Sequence, residues 1–227
     1  MALSETDLRE FGEVAATERF TLQNSAMLKV KLEGDEIQAL LGSMVAYQGD
    51  VKFEHKSGGL GRFFKKAMTG EGVQLMGCSG SGDLFLAQDK RKIMVIELDD
   101  ERMTVNGGNI LAFKPSIEWD IRRVEGAGRL AGGLFNILLE GSGKVAVTSA
   151  GEPVLLDTNT PTFADPESAI AWSGGVRTSV KSDVSFKTFV GRGSGESFQI
   201  AFTGPGWVLI QPSEGAVIPP HSHGNES

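Results

Sequence analysis

Two stretches decide how this chain is read: Phe135-Asn-Ile-Leu-Leu-Glu-Gly-Ser-Gly-Lys-Val-Ala-Val147 and Phe198-Gln-Ile-Ala-Phe-Thr-Gly-Pro-Gly-Trp-Val-Leu-Ile210. Each sets a Gly-x-Gly between two short apolar runs, and a looser version spans Val73–Leu86 around Gly80 and Gly82. Alternating apolar residues turn one face of each run to a core. The paired glycines reach backbone angles that a Cβ forbids, so the phrase is expected to reverse the chain between neighbouring strands. Glycine supplies 30 of the 227 residues, against a usual share of ~7 %. Scattered through apolar runs, it argues against helical bundles, since each interior helical glycine costs about 1 kcal/mol relative to alanine.

Outward from these stretches, strands are expected at Met27–Leu32, Met44–Phe53, Gln74–Cys78, Asp83–Ala87, Ile93–Leu98 and Thr104–Val105. Further strands follow at Ile110–Phe113, Trp119–Val124, Phe135–Leu139, Lys144–Thr148, Val154–Leu156, Ala169–Trp172, Val184–Val190, Phe198–Phe202 and Trp207–Gln211. A single helical turn fits 62–68. Val105–Phe113 lies over Ala164–Trp172 at an offset of 59, with the pattern small–turn–turn–apolar–Ala–aromatic shared. At that offset Ile117 meets Val176, and Ile121 meets Val180. The expectation is an all-β protein of two tandem, similar β-sandwich or barrel units: a lead-in over 1–25, units at 26–124 and 125–212, and a flexible tail at 213–227. Asp99-Asp100-Glu101-Arg102 reads as a solvated turn between strands.

Composition narrows the function classes. The formal charge is −7, from 22 Lys+Arg against 29 Asp+Glu, which disfavours general nucleic-acid binding by phosphate neutralisation. One cysteine, Cys78, excludes an intramolecular disulfide framework and a Cys-rich zinc site. No apolar run approaches the ~18 residues of a membrane span. The first residues are acidic and carry neither a secretory nor a mitochondrial leader, so a cytoplasmic location is expected.

Candidate sites are few. His221-Ser-His223 with Glu226 resembles the first metal motif of cupins, and two imidazoles with a carboxylate suit Fe, Mn, Ni or Zn. The Glu stands one residue early, and the chain ends before a strand could carry the site. Gly141-Ser-Gly-Lys144 resembles a phosphate loop. However, Leu138 replaces its first glycine, Val145 replaces its Ser/Thr, and no helix follows. No cofactor is therefore expected. Cys78 sits in an apolar run without a nearby His and reads as a small core residue, not a nucleophile. The one segment with an interaction signature is Leu60–Met68. There Arg62, Lys65 and Lys66 flank Phe63 and Phe64, a pattern suited to an anionic membrane surface or an acidic protein partner.

Phe53-Glu54, the Gly58-Gly-Leu-Gly61 segment, Gly70-Glu71, Gly80-Ser-Gly-Asp-Leu-Phe-Leu86 and the closing Gly195-Glu-Ser-Phe-Gln199, Gly204-Pro-Gly206 and Gln211-Pro212 carry a further signal. Together they resemble the altered inheritance of mitochondria protein 24 family over roughly residues 25–212. That resemblance implies tandem units with a fold like the tryptophan-RNA-binding attenuator protein, of the double-stranded β-helix type. It also implies homotrimers in which six units form a pseudo-hexameric ring. Fungal relatives are associated with the mitochondrial inner membrane, and the family supplies no active site to carry over. The expected function is a non-enzymatic assembly or interaction module, able to sit at a membrane surface. The alternatives are a cupin-like metal-binding barrel built on the tail histidines and, by fold analogy alone, RNA binding.

Overall fold

The computed structural model describes residues 8–16, 18–54, 73–123, 135–181 and 199–213. Apart from a 3-10 turn at Arg9–Phe11, the regular elements of these residues are strands. In chain order they are β1 (Phe20–Asn24), β2 (Met27–Leu40), β3 (Met44–Glu54), β4 (Leu75–Leu86), β5 (Lys92–Asn106), β6 (Ile110–Phe113) and β7 (Glu118–Arg123). They continue with β8 (Phe135–Ser149), β9 (Val154–Asp157), β10 (Thr162–Ala164), β11 (Ala169–Ser173), β12 (Arg177–Lys181), β13 (Gln199–Thr203) and β14 (Trp207–Ile210). The all-β expectation holds.

Antiparallel pairing builds the sheet in sets of lead, middle and closing strands. In the first set, closing strand β4 pairs with lead β2 on one side and middle β3 on the other. In the second, β8 pairs with lead β5 and with the middle pair β6 and β7. In the third, β14 pairs with β9 and β11, while β13 pairs with β10 and β12. Each lead strand then joins the middle strand of the next set, β2 to β6 and β5 to β11. The main sheet therefore runs β3-β4-β2-β6-β8-β5-β11-β14-β9, and a smaller one runs β10-β13-β12. This pairing crosses the expected boundary at 124/125, because β7 lies against β8 along its whole length. Among the described residues this lead–middle–closing arrangement is seen three times.

The Gly-x-Gly phrase does a different job from the one expected. Gly80 and Gly82 lie inside β4, Gly141 and Gly143 inside β8, and in both the strand continues in one direction along the same partner. Only in the third copy does the phrase separate a pair of strands, β13 and β14, and these enter different sheets without reversing onto each other. All six glycines have positive φ, from +106° to +151°. Opposite them the lead strands bulge, at Glu33/Asp35 in β2 and at Leu98/Glu101 in β5. A bulge bends and twists a strand without ending it, which lets one long strand serve two faces of the fold. Asp99 and Asp100 belong to the second bulge, so this stretch is an interruption within β5 and not a turn between strands. There the Asp100 backbone N–H donates to Ser142 Oγ at 2.8 Å.

Three strands were not foreseen because their sequences lack a clean apolar alternation: β1, β12 and the three-residue β10 (Thr162–Ala164). Arg177–Lys181 (β12) is mostly polar yet pairs along five residues with β13. Phe20–Asn24 (β1), in the expected lead-in, pairs with β2 and buries Phe20. The core follows the sets. Leu28, Ile37, Cys78 and Leu84 pack in the first, Met103, Phe113, Ile137 and Leu139 in the second, and Trp172, Phe202 and Val208 in the third. Each fully buried large apolar side chain contributes about 1.5–3 kcal/mol.

Polar groups tie the last two sets together. Asn109 Nδ2 donates to the Thr148 carbonyl at 2.8 Å and to Gln211 Oε1 at 3.1 Å. Gln211 Nε2 donates in turn to the Glu167 carbonyl at 2.6 Å. Gln211, one of the residues behind the family resemblance, is thus a buried clamp between strand ends. The expected helical turn at 62–68 and the strand at Val184–Val190 lie outside the described residues.

Candidate interaction edges

The backbone register makes corresponding positions of the three sets directly comparable. Ala46 of β3 faces Phe85, Ala112 of β6 faces Ala146, and Ala171 of β11 faces Leu209. Each alanine follows the same one-residue irregularity, at Met44/Ala46, Ile110/Ala112 and Ala169/Ala171. Just before it, the backbone N–H groups of Ser43, Asn109 and Ser168 each close a turn onto the carbonyl three residues earlier. The carbonyls of those three residues accept from the N–H groups of Ala87, Thr148 and Gln211 in turn. Met44-Val-Ala-Tyr47, Ile110-Leu-Ala-Phe113 and Ala169-Ile-Ala-Trp172 are therefore one structural phrase in three copies.

Their burial differs sharply. Leu111, Phe113 and Ile170 are fully buried and Trp172 nearly so, yet Val45 is 52 % exposed and Tyr47 49 %. Among the described residues the difference is a neighbouring strand. β6 and β11 each lie beside a lead strand of the preceding set, while β3 ends the sheet. Even the ring contacts match, since Tyr47 meets Phe53 edge-on at 5.3 Å and Phe113 meets Trp119 at 6.2 Å.

The opposite end of the main sheet is β9. All four residues of β9 are exposed, and Leu155 is the most open large apolar residue of the strand at 63 %. Phe163 on the adjoining β10 is also exposed, with Lys181 Nζ 4.1 Å from its ring centroid. An edge strand presents unpaired backbone N–H and C=O groups, and natural proteins usually blunt such edges with charge. Here Met44, Val45 and Tyr47 mark one end of the main sheet and Val154, Leu155 and Leu156 the other, with Phe163 exposed on the edge of the smaller sheet.

The candidate residues singled out in the sequence fall elsewhere. Arg62, Phe63, Phe64, Lys65 and Lys66, and the tail residues His221, His223 and Glu226, lie outside the described residues. Cys78 is fully buried in the first core, and desolvation, with a smaller contribution from the Glu36 carboxylate, pushes its thiol up to about 12. Such a thiol is not a nucleophile at neutral pH. Lys144 lies in mid-strand, ion-paired with Glu18, and not at a helix N-terminus. Among the described residues no helix is long and apolar enough to cross a membrane, and no three His, Cys, Asp or Glu side chains gather as a metal site would require. The apolar edges were missed because alternation shows which face of a strand is apolar but not whether a neighbour covers its edge.

One buried charge stands out. Lys29 Nζ pairs with Glu13 and, at 3.2 Å, with Asp83, and it donates to the Val14 carbonyl at 3.3 Å. The Glu13 hydrogen bond holds the ammonium above its ordinary pKa against the opposing cost of burial, with Asp83 adding to the effect. Gln23 fastens the same segment, accepting from the Val14 N–H at 2.9 Å and donating to the Gly12 carbonyl at 3.0 Å. These contacts strap residues 12–14 across the first set.

Comparison with known proteins places the chain. Among solved structures, protein SPYM3_0169 from Streptococcus pyogenes, a structural genomics target, is similar with a TM-score of 0.67 and 24 % identity. The alignment covers 86 % of this chain and 92 % of that one, and it shows a shared fold. No curated protein matches the chain. The profile of a family described as "Mitochondrial biogenesis AIM24" matches residues 20–213, which take in every strand described above, and the chain belongs to that family.

Proposed function

We propose that the protein is a non-enzymatic assembly module that associates with itself through the two ends of its sheet, with a homotrimer as the expected state and a sheet plan like that of the attenuator protein. The observation that carries this reading is the placement of exposed apolar residues on the terminal strands β3 and β9, while the matching residues of β6 and β11 are covered. Burying such edges against another chain removes apolar area from water and satisfies the open backbone groups. Size-exclusion chromatography with light scattering tests it. A particle of three times the 24.2 kDa chain mass is expected, and a mass of 24.2 kDa across the micromolar range overturns the reading.

A further inference from the structure

Resting on that self-association, the internal repeat assigns the partner strand and its register. The two joins inside the chain obey one rule. In the first, Ala39 of β2 faces Ala112 of β6, and Gln38 faces Phe113. In the second, Val105 of β5 faces Ala171 of β11, and Thr104 faces Trp172. The alanine of the middle strand thus meets one fixed position of the preceding lead strand, and its aromatic neighbour meets the residue before that position.

The closing strands identify this position in the third set. Ala39 faces Met76, Val105 faces Ile137 and Ala164 faces Ile200. Met76, Ile137 and Ile200 each lie four residues before the first glycine of the Gly-x-Gly phrase, Gly80, Gly141 and Gly204. Ala164 of β10 is therefore the counterpart of Ala39 and Val105. Ala46 of β3 is likewise the counterpart of Ala112 and Ala171. In the chain itself β3 and β10 are not paired with each other, and they stand in different sheets.

We propose that β10 of one copy, the counterpart of the late half of β2, pairs antiparallel with β3 of a second copy, with Ala164 facing Ala46 and Phe163 facing Tyr47. A second copy is the occupant because its β10 is built on the same plan as β2 and β5, which already cover the equivalent strands. The register also sets two exposed aromatic rings opposite each other, a favourable cross-strand pair. Because the two edges differ, the contact is heterologous, and it repeats from copy to copy until the rotation closes a ring.

Disulfide trapping reads the register directly. Residues directly opposite in an antiparallel pair have Cα atoms ~4.5–5.5 Å apart, inside the ~4.4–6.8 Å that a disulfide spans. Ala46→Cys and Ala164→Cys are introduced together with Cys78 left in place, since its thiol is buried. Under mild oxidation the double variant is expected to give a reducible ladder on denaturing gels that stops at the ring size. Either single variant, and the register-shifted pair Tyr47→Cys with Ala164→Cys, is expected to cross-link at least tenfold more slowly. A fast-migrating cross-linked monomer overturns the proposal by showing closure within one chain. Absence of cross-linking, while light scattering still reports an oligomer, overturns the register but leaves self-association standing. A monomeric double variant from a monomeric parent overturns both.

Discussion

Met44–Tyr47 and Ile110–Phe113 are the same stretch of structure in two settings. Both follow a tight turn, both carry an irregularity before an alanine, and both present an aromatic ring at the fourth position. One is open to solvent and the other is sealed. The difference does not arise within either strand. It comes from β2, which lies beside β6 and, among the described residues, has no counterpart beside β3. Burial in this fold is a property of the join between sets, so the energetic weight of an apolar residue depends on which set holds it.

Substituting matched positions turns that comparison into numbers. Phe113→Ala removes a fully buried ring and is expected to cost about 3–5 kcal/mol, whereas Tyr47→Ala should change the stability of the dilute, dissociated chain by less than about 0.5 kcal/mol. Urea titration of both variants measures the contrast, and equal losses would break it. A second contrast lies in the glycines. A Cβ at Gly82 would meet the Gln48 carbonyl oxygen at 2.0 Å, while one at Gly143 would meet only side-chain atoms, the nearest at 3.2 Å. Gly82→Ala should therefore cost about 3 kcal/mol or more, and Gly143→Ala, which pays for its φ of +150° but not for a backbone clash, about 1–2 kcal/mol.

The lysine strap separates the first set from the second in another way. Lys29 faces Phe85 in β4, and Val95 faces Ala146 at the corresponding place in β8. Lys29→Met is expected to cost about 1 kcal/mol, because the partner carboxylates keep partial access to water. The folded-state pKa of Lys29 is raised, so its contribution is fully present below the ordinary value of 10.5 and is lost as pH rises through the higher folded value. The stability gap between wild type and Lys29→Met should hold from neutral pH up to 10.5 and narrow above it, as read by paired urea titrations. A gap that widens at high pH would contradict the strap. The smallest effect on folding belongs to Val45→Lys on the open edge, within about 0.5 kcal/mol. In the proposed assembly the same substitution should nevertheless bring the particle down to the mass of a single chain in light scattering. Its buried counterpart Leu111→Lys should not fold.

Much of the fold can be read from local pattern. Ile110–Phe113 and Met44–Phe53 show themselves as strands, and the shared phrase at Val105–Phe113 and Ala164–Trp172 aligns two of the three sets. The third copy escaped because Met44–Tyr47 stands 66 residues before Ile110–Phe113, while the next interval is 59. Glycine misled in a specific way. Positive φ serves a reversal and a bulge equally well, and only the pairing of β4 along both halves of β2 distinguishes them. Arg177–Lys181 became a strand because β13 offered backbone partners, a fact written elsewhere in the chain. The candidate edges were illegible for the same reason. Exposure of Val45 and Leu155 is decided by strands tens of residues away. Gln211, by contrast, was legible as a signal in the family resemblance, and only its role as a clamp needed the structure.

The sealed state of Cys78 has a practical meaning. It is the chain's single thiol, it lies at the centre of the first core, and burial suppresses its ionisation. Reaction with an alkylating reagent must wait for β4 to detach from its neighbours, so the labelling rate is a clock for opening events in the first set. Under conditions where reclosure outpaces alkylation, that clock reports an opening free energy without denaturant. The protein therefore carries its own probe of whether occupying the β3 edge steadies the core behind it.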